Sequence, residues 1–255
     1  MEISLTELLE KGQKTRIHGN DYFSTKTYVT PFIERLNKIT DDFICQAVPP
    51  GQVSIAPDGT ENMIYNKVHV EAVLPSNQAD ISEVIVFTYG LDTKRPFARF
   101  YKAWKRNDTG CLFLNDQRFV VTQDLEPERT LNYSPVDMLL EKELNREWLD
   151  KLSLNGWEAS NDQVNYRLGQ WVRFAINFFN NSEYGKVKIA TNDIITGYKN
   201  LFEETNSPFY TPLAHSCSYY QALSSMSQVI YDNKKDPTNL IVKTILLNSI
   251  LSIPV

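Results

Sequence analysis

Apolar residues near the start of the chain recur at helical spacing. Leu5, Leu8 and Leu9 supply one face, Ser4 stands three residues before Glu7 as a capping box, and Gly12 provides a stop. A second helix is predicted from Thr30, with Pro31 in its first turn, where a missing N–H is tolerated. Phe32, Ile33, Leu36 and Ile39 would be its buried residues.

From about Asp42 the period shortens. Phe43-Ile44-Cys45, Val53-Ser54-Ile55, Met63-Ile64-Tyr65, Val68 to Leu74 and Val84 to Tyr89 are short runs of β-branched and aromatic residues. They are separated by Pro49-Pro50-Gly51, Pro57-Asp58-Gly59 and Pro75-Ser76-Asn77. Val68, Val70, Ala72 and Leu74 alternate with His69, Glu71 and Val73, as in a half-buried strand. Two further strands are expected at Cys111 to Leu114 and Phe119 to Thr122, giving a mostly antiparallel sheet of hairpins and a meander.

After Pro127 the spacing becomes helical again. Ser134-Pro135 opens a helix carrying Met138, Leu139, Leu140, Leu144, Trp148 and Leu152. Ser160 and Gln163 cap another, with Val164, Leu168, Trp171, Ala175 and Phe178 on one face. Thr191 caps a stretch with Ile194, Ile195, Tyr198, Leu201 and Phe202, and two more helices are expected from about Pro212 to Tyr231 and Thr238 to Ile253. The fold class that follows is α+β: a mostly antiparallel sheet in the N-terminal half, residues 1–126, and a helical C-terminal half, residues 134–255. The boundary falls in the polar stretch Asp124 to Tyr133, and the two halves are equally compatible with one integrated domain.

Composition narrows the class. With 42% hydrophobic residues, 255 positions suffice for a real core, so a disordered chain is excluded. The formal charge of −5 argues against a general coat for duplex DNA but leaves room for a local basic groove. Cys45, Cys111 and Cys217 have no zinc-ribbon spacing and read as reduced thiols. The N-terminus lacks a signal-like apolar run, and Leu240 to Ile253 is too short and too polar to span a bilayer, so a cytoplasmic protein is expected.

Signatures of catalysis are sparse. No Walker A loop, GxGxxG, GxSxG or HExxH occurs. His69 and Glu71 form the first half of a zinc deaminase signature, but the second half is missing, and the pair reads first as the polar face of a strand. His215 and Cys217 would share a face on a strand but diverge on the helix expected there. With His18 they complete the histidines, whose spacing supports no metal site. Pro57-Asp58 lacks the Glu-x-Lys that a nuclease would need. Asp137, Glu141, Glu143 and Glu147, interleaved with Lys142, Arg146 and Lys151, read as a solvated helix face. No catalytic residue, metal ligand or cofactor is assigned.

One segment concentrates positive charge against this acidic background. From Asp92 to Asp108 the chain reads DTKRPFARFYKAWKRND, six of its 26 basic residues among four aromatics. A helix would bury Phe97, Phe100, Tyr101 and Trp104 on one side. An extended strand, favoured by the sheet runs on both flanks, would set Phe97, Arg99, Tyr101 and Lys105 on one face and Phe100, Lys102, Trp104 and Arg106 on the other. Rings mixed with cations suit single-stranded nucleic acid: Arg95, Arg99, Lys102, Lys105 and Arg106 toward phosphates, Tyr101 and Trp104 toward bases. The plainer reading of the same residues is a structural strand or helix with its rings in the core and its cationic heads reaching solvent, and an acidic protein partner is a further alternative.

Tyr101 to Asn115, YKAWKRNDTGCLFLN, and Tyr219 to Leu251 together resemble an uncharacterised family of bacteriophage- and plasmid-encoded proteins. The resemblance implies a viral origin and transfers no catalytic residue. The expectation is a non-enzymatic, phage-type protein that binds single-stranded nucleic acid in DNA replication or recombination. The alternative is a protein-interaction module, an inhibitor of a host protein or a virion component, using an acidic helical surface. An enzyme centred on His69 or His215 comes third, and an oligomer is left open.

Overall fold

The computed structural model describes residues 2–11, 15–17, 21–23, 25–48, 53–55, 61–63, 65–91, 96–113, 119–125, 130–154, 156–158, 196, 216–218, 220–222, 224–225 and 228. The chain divides into two compact units, one of residues 1–107, 116–144 and 234–239, the other of 108–115, 145–233 and 240–255. In chain order the elements are β1 (Glu2–Ile3), α1 (Leu5–Lys11), β2 (Thr15–Ile17), β3 (Asp21–Phe23), α2 (Thr25–Leu36) and β4 (Phe43–Ala47). There follow β5 (Val53–Ile55), β6 (Glu61–Met63), β7 (Lys67–Val73), β8 (Ile81–Gly90), β9 (Phe97–Arg106) and β10 (Leu112–Phe113). The series closes with β11 (Val120–Asp124), α3 (Ser134–Glu141), α4 (Arg146–Leu154), β12 (Gly156–Glu158) and β13 (Ser216–Ser218).

In the first unit the expected antiparallel sheet is present. Its strands run in the order β1-β4-β7-β8-β9, and β11 pairs with the first half of β9. Register places Ile3, Cys45, Val70, Phe87, Phe100 and Val121 side by side in one row on one face. Helices supply the opposing layer: Leu8 of α1, Tyr28, Val29, Phe32 and Leu36 of α2, and Val136 and Leu139 of α3 join that face in a single core. Phe87 stacks on Phe32 at 5.5 Å and on Phe100 at 5.0 Å, and Tyr133 meets Phe100 edge-on at 5.6 Å.

Local signals account for the helix starts. The Glu7 N–H donates to Ser4 Oγ at 3.1 Å, the cap read from the sequence. Helix α2 begins at Thr25, earlier than Thr30, because Tyr28 and Val29 extend its apolar face ahead of Pro31 and Thr25 Oγ1 meets the Tyr89 hydroxyl at 2.7 Å. It ends at Leu36, so Ile39 stays exposed rather than buried.

The helical C-terminal half is corrected. The helix expected to run on from Ser134 stops at Glu141; Lys142 is extended, with φ −84° and ψ 129°. A new helix, α4, starts after Asn145, whose side chain accepts the Trp148 N–H. In the second unit β12 and β13 pair antiparallel, so Ser216–Ser218 is a strand inside the segment expected to be helical from Pro212. The serines on either side of Cys217 favour helix weakly, and a paired strand satisfies their backbone groups. Helical backbone follows at residues 220–222, 224–225 and 228. The helices expected after Ser160, Thr191 and Thr238 lie outside the described residues, apart from helical residue 196.

Candidate functional site

The basic–aromatic segment is strand β9, paired with β8 along its whole length. Alternation splits its side chains between two faces as an extended chain requires. Phe100, Lys102 and Trp104 lie on the helix-covered face, where Phe100 is wholly buried and Trp104 is 6% exposed. Lys102, 3% exposed, has its cation consumed there: Nζ meets Glu83 Oε2 at 2.7 Å and donates to the Lys142 carbonyl. That carbonyl sits at the C-terminus of α3, where orphan carbonyls and the helix dipole favour a cation. The helix stop at Lys142 and the burial of Lys102 are therefore one arrangement.

On the other face stand Phe97, Arg99, Tyr101, Ala103 and Lys105. Tyr101 is wholly buried and Lys105 is 6% exposed. Arg99 is half-buried; its guanidinium lies 4.6 Å from the centre of the Phe97 ring and Nε donates to Thr122 Oγ1 at 3.1 Å. Arg106 is half-buried at the far end of the strand, and Arg95 lies outside the described residues. The structure thus brings Phe97, Arg99 and Thr122 together at one end of the strand and turns the rings of Tyr101 and Trp104 inward. A strand covered on both faces buries its bulky side chains whatever charge surrounds them.

Register across this second face carries a feature that no single strand shows. Glu2, Gln46, His69, Thr88, Arg99 and Thr122 are cross-strand partners in turn, a polar row from β1 to β11. The middle of the row is deep: Gln46 is 2% exposed, His69 0% and Thr88 1%. Strand β7 is accordingly buried on both faces, not half-buried as its alternation suggested.

Joined to the row at His69 is a buried group of ionisable side chains. His69 Nε2 is 2.9 Å from Glu71 Oε1, and Lys105 Nζ donates to Glu71 Oε2 at 2.5 Å. A carboxylate only accepts, so Nε2 carries the proton, and the other ring nitrogen, Nδ1, has no hydrogen-bond partner among the described residues. Burial opposes ionisation of Glu71, but the His69 hydrogen bond and the charges of His69 and Lys105 outweigh it and hold the carboxyl below its ordinary 4.5. The neighbouring Cys45 thiol is pushed up to about 12 by burial and by the Glu71 charge.

The remaining candidates are not gathered into a site. His18, His215 and Asp58 lie outside the described residues, and Cys217 is on strand β13. Asp137, Glu141, Glu143 and Glu147 are exposed, and Glu147 pairs with Lys151 at 3.0 Å one turn on. No three His, Cys, Asp or Glu side chains among the described residues converge as a metal would require. No described helix is long and apolar enough to cross a membrane. Sequence reasoning missed Gln46, Thr88 and the Glu71–Lys105 pair. Each is polar at a position of its strand that period-two alternation marks, but which positions stand side by side is a matter of register, and that is set by long-range pairing. No protein-family model, curated protein or solved structure matches the chain.

Proposed function

We propose that the protein is a non-enzymatic, phage-type binder of single-stranded nucleic acid, with the contact narrowed to the end of β9 where Phe97, Arg99 and Thr122 meet. The supporting observation is the pairing of Arg99 with the Phe97 ring at 4.6 Å while Thr122 fixes its Nε. A guanidinium held this way keeps its planar fork in one orientation, the geometry suited to a phosphate. The partly exposed Phe97 ring beside it offers stacking of ~1–3 kcal/mol for one base. Arg95, four positions earlier in the sequence, adds charge to the same stretch. Tyr101, Lys102, Trp104 and Lys105 are buried and leave the contact set.

Fluorescence anisotropy of a labelled oligothymidylate, measured at several salt concentrations, tests this. Binding at low salt that weakens as salt rises is expected, and Arg99→Ala should lower affinity by roughly tenfold. Absence of binding at low salt, or an Arg99→Ala chain that binds like the wild type, overturns the reading. A host or viral protein partner, with exposed Asp137, Glu141 and Glu143 as its contact, would then take its place.

A further inference from the structure

Backbone hydrogen bonds join β7 to β8 and β8 to β9, but only side chains reach from β7 to β9. Lys105 stands opposite Ser82, while Glu71 stands opposite Val86, so the lysine runs diagonally over β8 to the carboxylate. Val84 and Ala103 are the pair between those two levels. The β8–β9 pair is closed by the chain connection at its Gly90–Phe97 end, whereas Ile81 and Arg106 are its open end. Asn107 ties that end to the Asp80 and Ala79 carbonyls, and lysines add to it on both faces: Lys102 to Glu83 and the end of α3, Lys105 to Glu71.

We infer that Glu71, His69 and Lys105 form an acid-sensitive clamp that pins the open end of β9 back to β7. The charge balance makes it so. Glu71 and Lys105 together are neutral, and both are buried. Protonating Glu71 removes the only anion His69 and Lys105 contact in this interior, among the described residues, and strands a buried ammonium. A buried charge deprived of its partner costs far more than the intact pair contributes. Among the described residues, the ionisable groups that act on Glu71 include His69 on its own strand, Lys105 of β9 and Cys45 of β4, while β8 carries Val84 and Val86 at this level. Neutralising the carboxyl therefore loosens the Lys102–Arg106 end of β9 and the Ile81–Val84 end of β8, which keep their backbone ladder and the Asn107 bonds to Asp80 and Ala79. The Phe97–Tyr101 half, which lies away from the clamp between β8 and β11, loosens less.

Amide hydrogen exchange on the full chain at neutral pH tests the clamp with three variants: Glu71→Gln, Lys105→Met and the two combined. In Glu71→Gln, amides at 102–106 and 81–84 should exchange at least about a hundredfold faster, with those at 97–101 little changed. Adding Lys105→Met should restore most of the lost protection, because the stranded ammonium is gone. Should Glu71→Gln fail to fold, a double variant that folds supports the clamp equally, since removing the ammonium has then rescued the chain. Wild-type stability should also fall as the pH drops below 4.5, and the double variant should lack the Glu71 part of that fall. Additive losses in the double variant, a double variant that does not fold, or acceleration spread evenly along β9 overturns the inference.

Discussion

Glu71 shows how burial and partners oppose each other at one atom group. Its folded-state carboxyl titrates below the ordinary 4.5, so the folded chain holds fewer protons than the unfolded one as pH falls through that range. The stability it contributes is present in full above the ordinary carboxylate range and is lost as pH drops through the folded value. Urea unfolding at a series of acid pH values should show this loss in the wild type and a flatter profile in Glu71→Gln. Cys45 has the opposite dependence: with its thiol pushed up to about 12, it should resist a thiol reagent at pH 8 in the native protein and react after denaturation. A titration with Ellman's reagent, with Cys111 and Cys217 both replaced by Ala, reads this out. The sequence placed His69 and Glu71 on one strand face because residues two apart always share one. Nothing in it signalled that Lys105, 34 positions on, completes the group, since that contact depends on β8 lying between at a particular register.

At the level of elements, the main runs of the sheet were legible, whereas β1, the β2–β3 pair, the break after Glu141 and strand β13 were not. Strand runs punctuated by Pro and Gly led to β4, β5, β7 and β8 because local alternation and tertiary burial agree there. The helix expected over Ser134 to Leu152 kept its apolar spacing yet broke, since Lys102 and Lys142 settle the break between them from 40 positions apart. Ser4→Ala should cost about 1 kcal/mol of unfolding free energy by removing the α1 cap, measurable by chemical denaturation. Gly90 of β8 faces Phe97, and a Cβ placed there would come within 3.0 Å of the ring. Gly90→Ala should therefore tilt Phe97 away from Arg99. Oligonucleotide affinity should fall about 2–5-fold in the anisotropy assay, the worth of an exposed cation–π contact.

For the molecule as a whole, a net charge of −5 sets what nucleic-acid binding can look like. A net negative charge supplies no general attraction, so in the proposed reading affinity comes from a few cations near the end of β9. The slope of log affinity against log salt should be shallow, about −0.7 for each phosphate held and on the order of −2 in all. A much steeper slope would point to a broad basic surface that the composition does not provide. The antiparallel sheet was readable because its strands alternate apolar with polar residues; the burial of the other face was not, since polar residues at alternate positions look the same whether wet or dry. The polar row from Glu2 to Thr122 has a consequence for how the chain finds this sheet at all. If β7 or β8 paired one residue out of step, His69 or Thr88 would turn into the layer of Phe32, Phe87 and Phe100, and Val70 or Phe87 would leave it. Misaligned pairings are thus penalised at several strands at once, and the row acts as a check on assembly: only the in-step sheet can close over both faces, which disfavours slipped and swapped forms during folding.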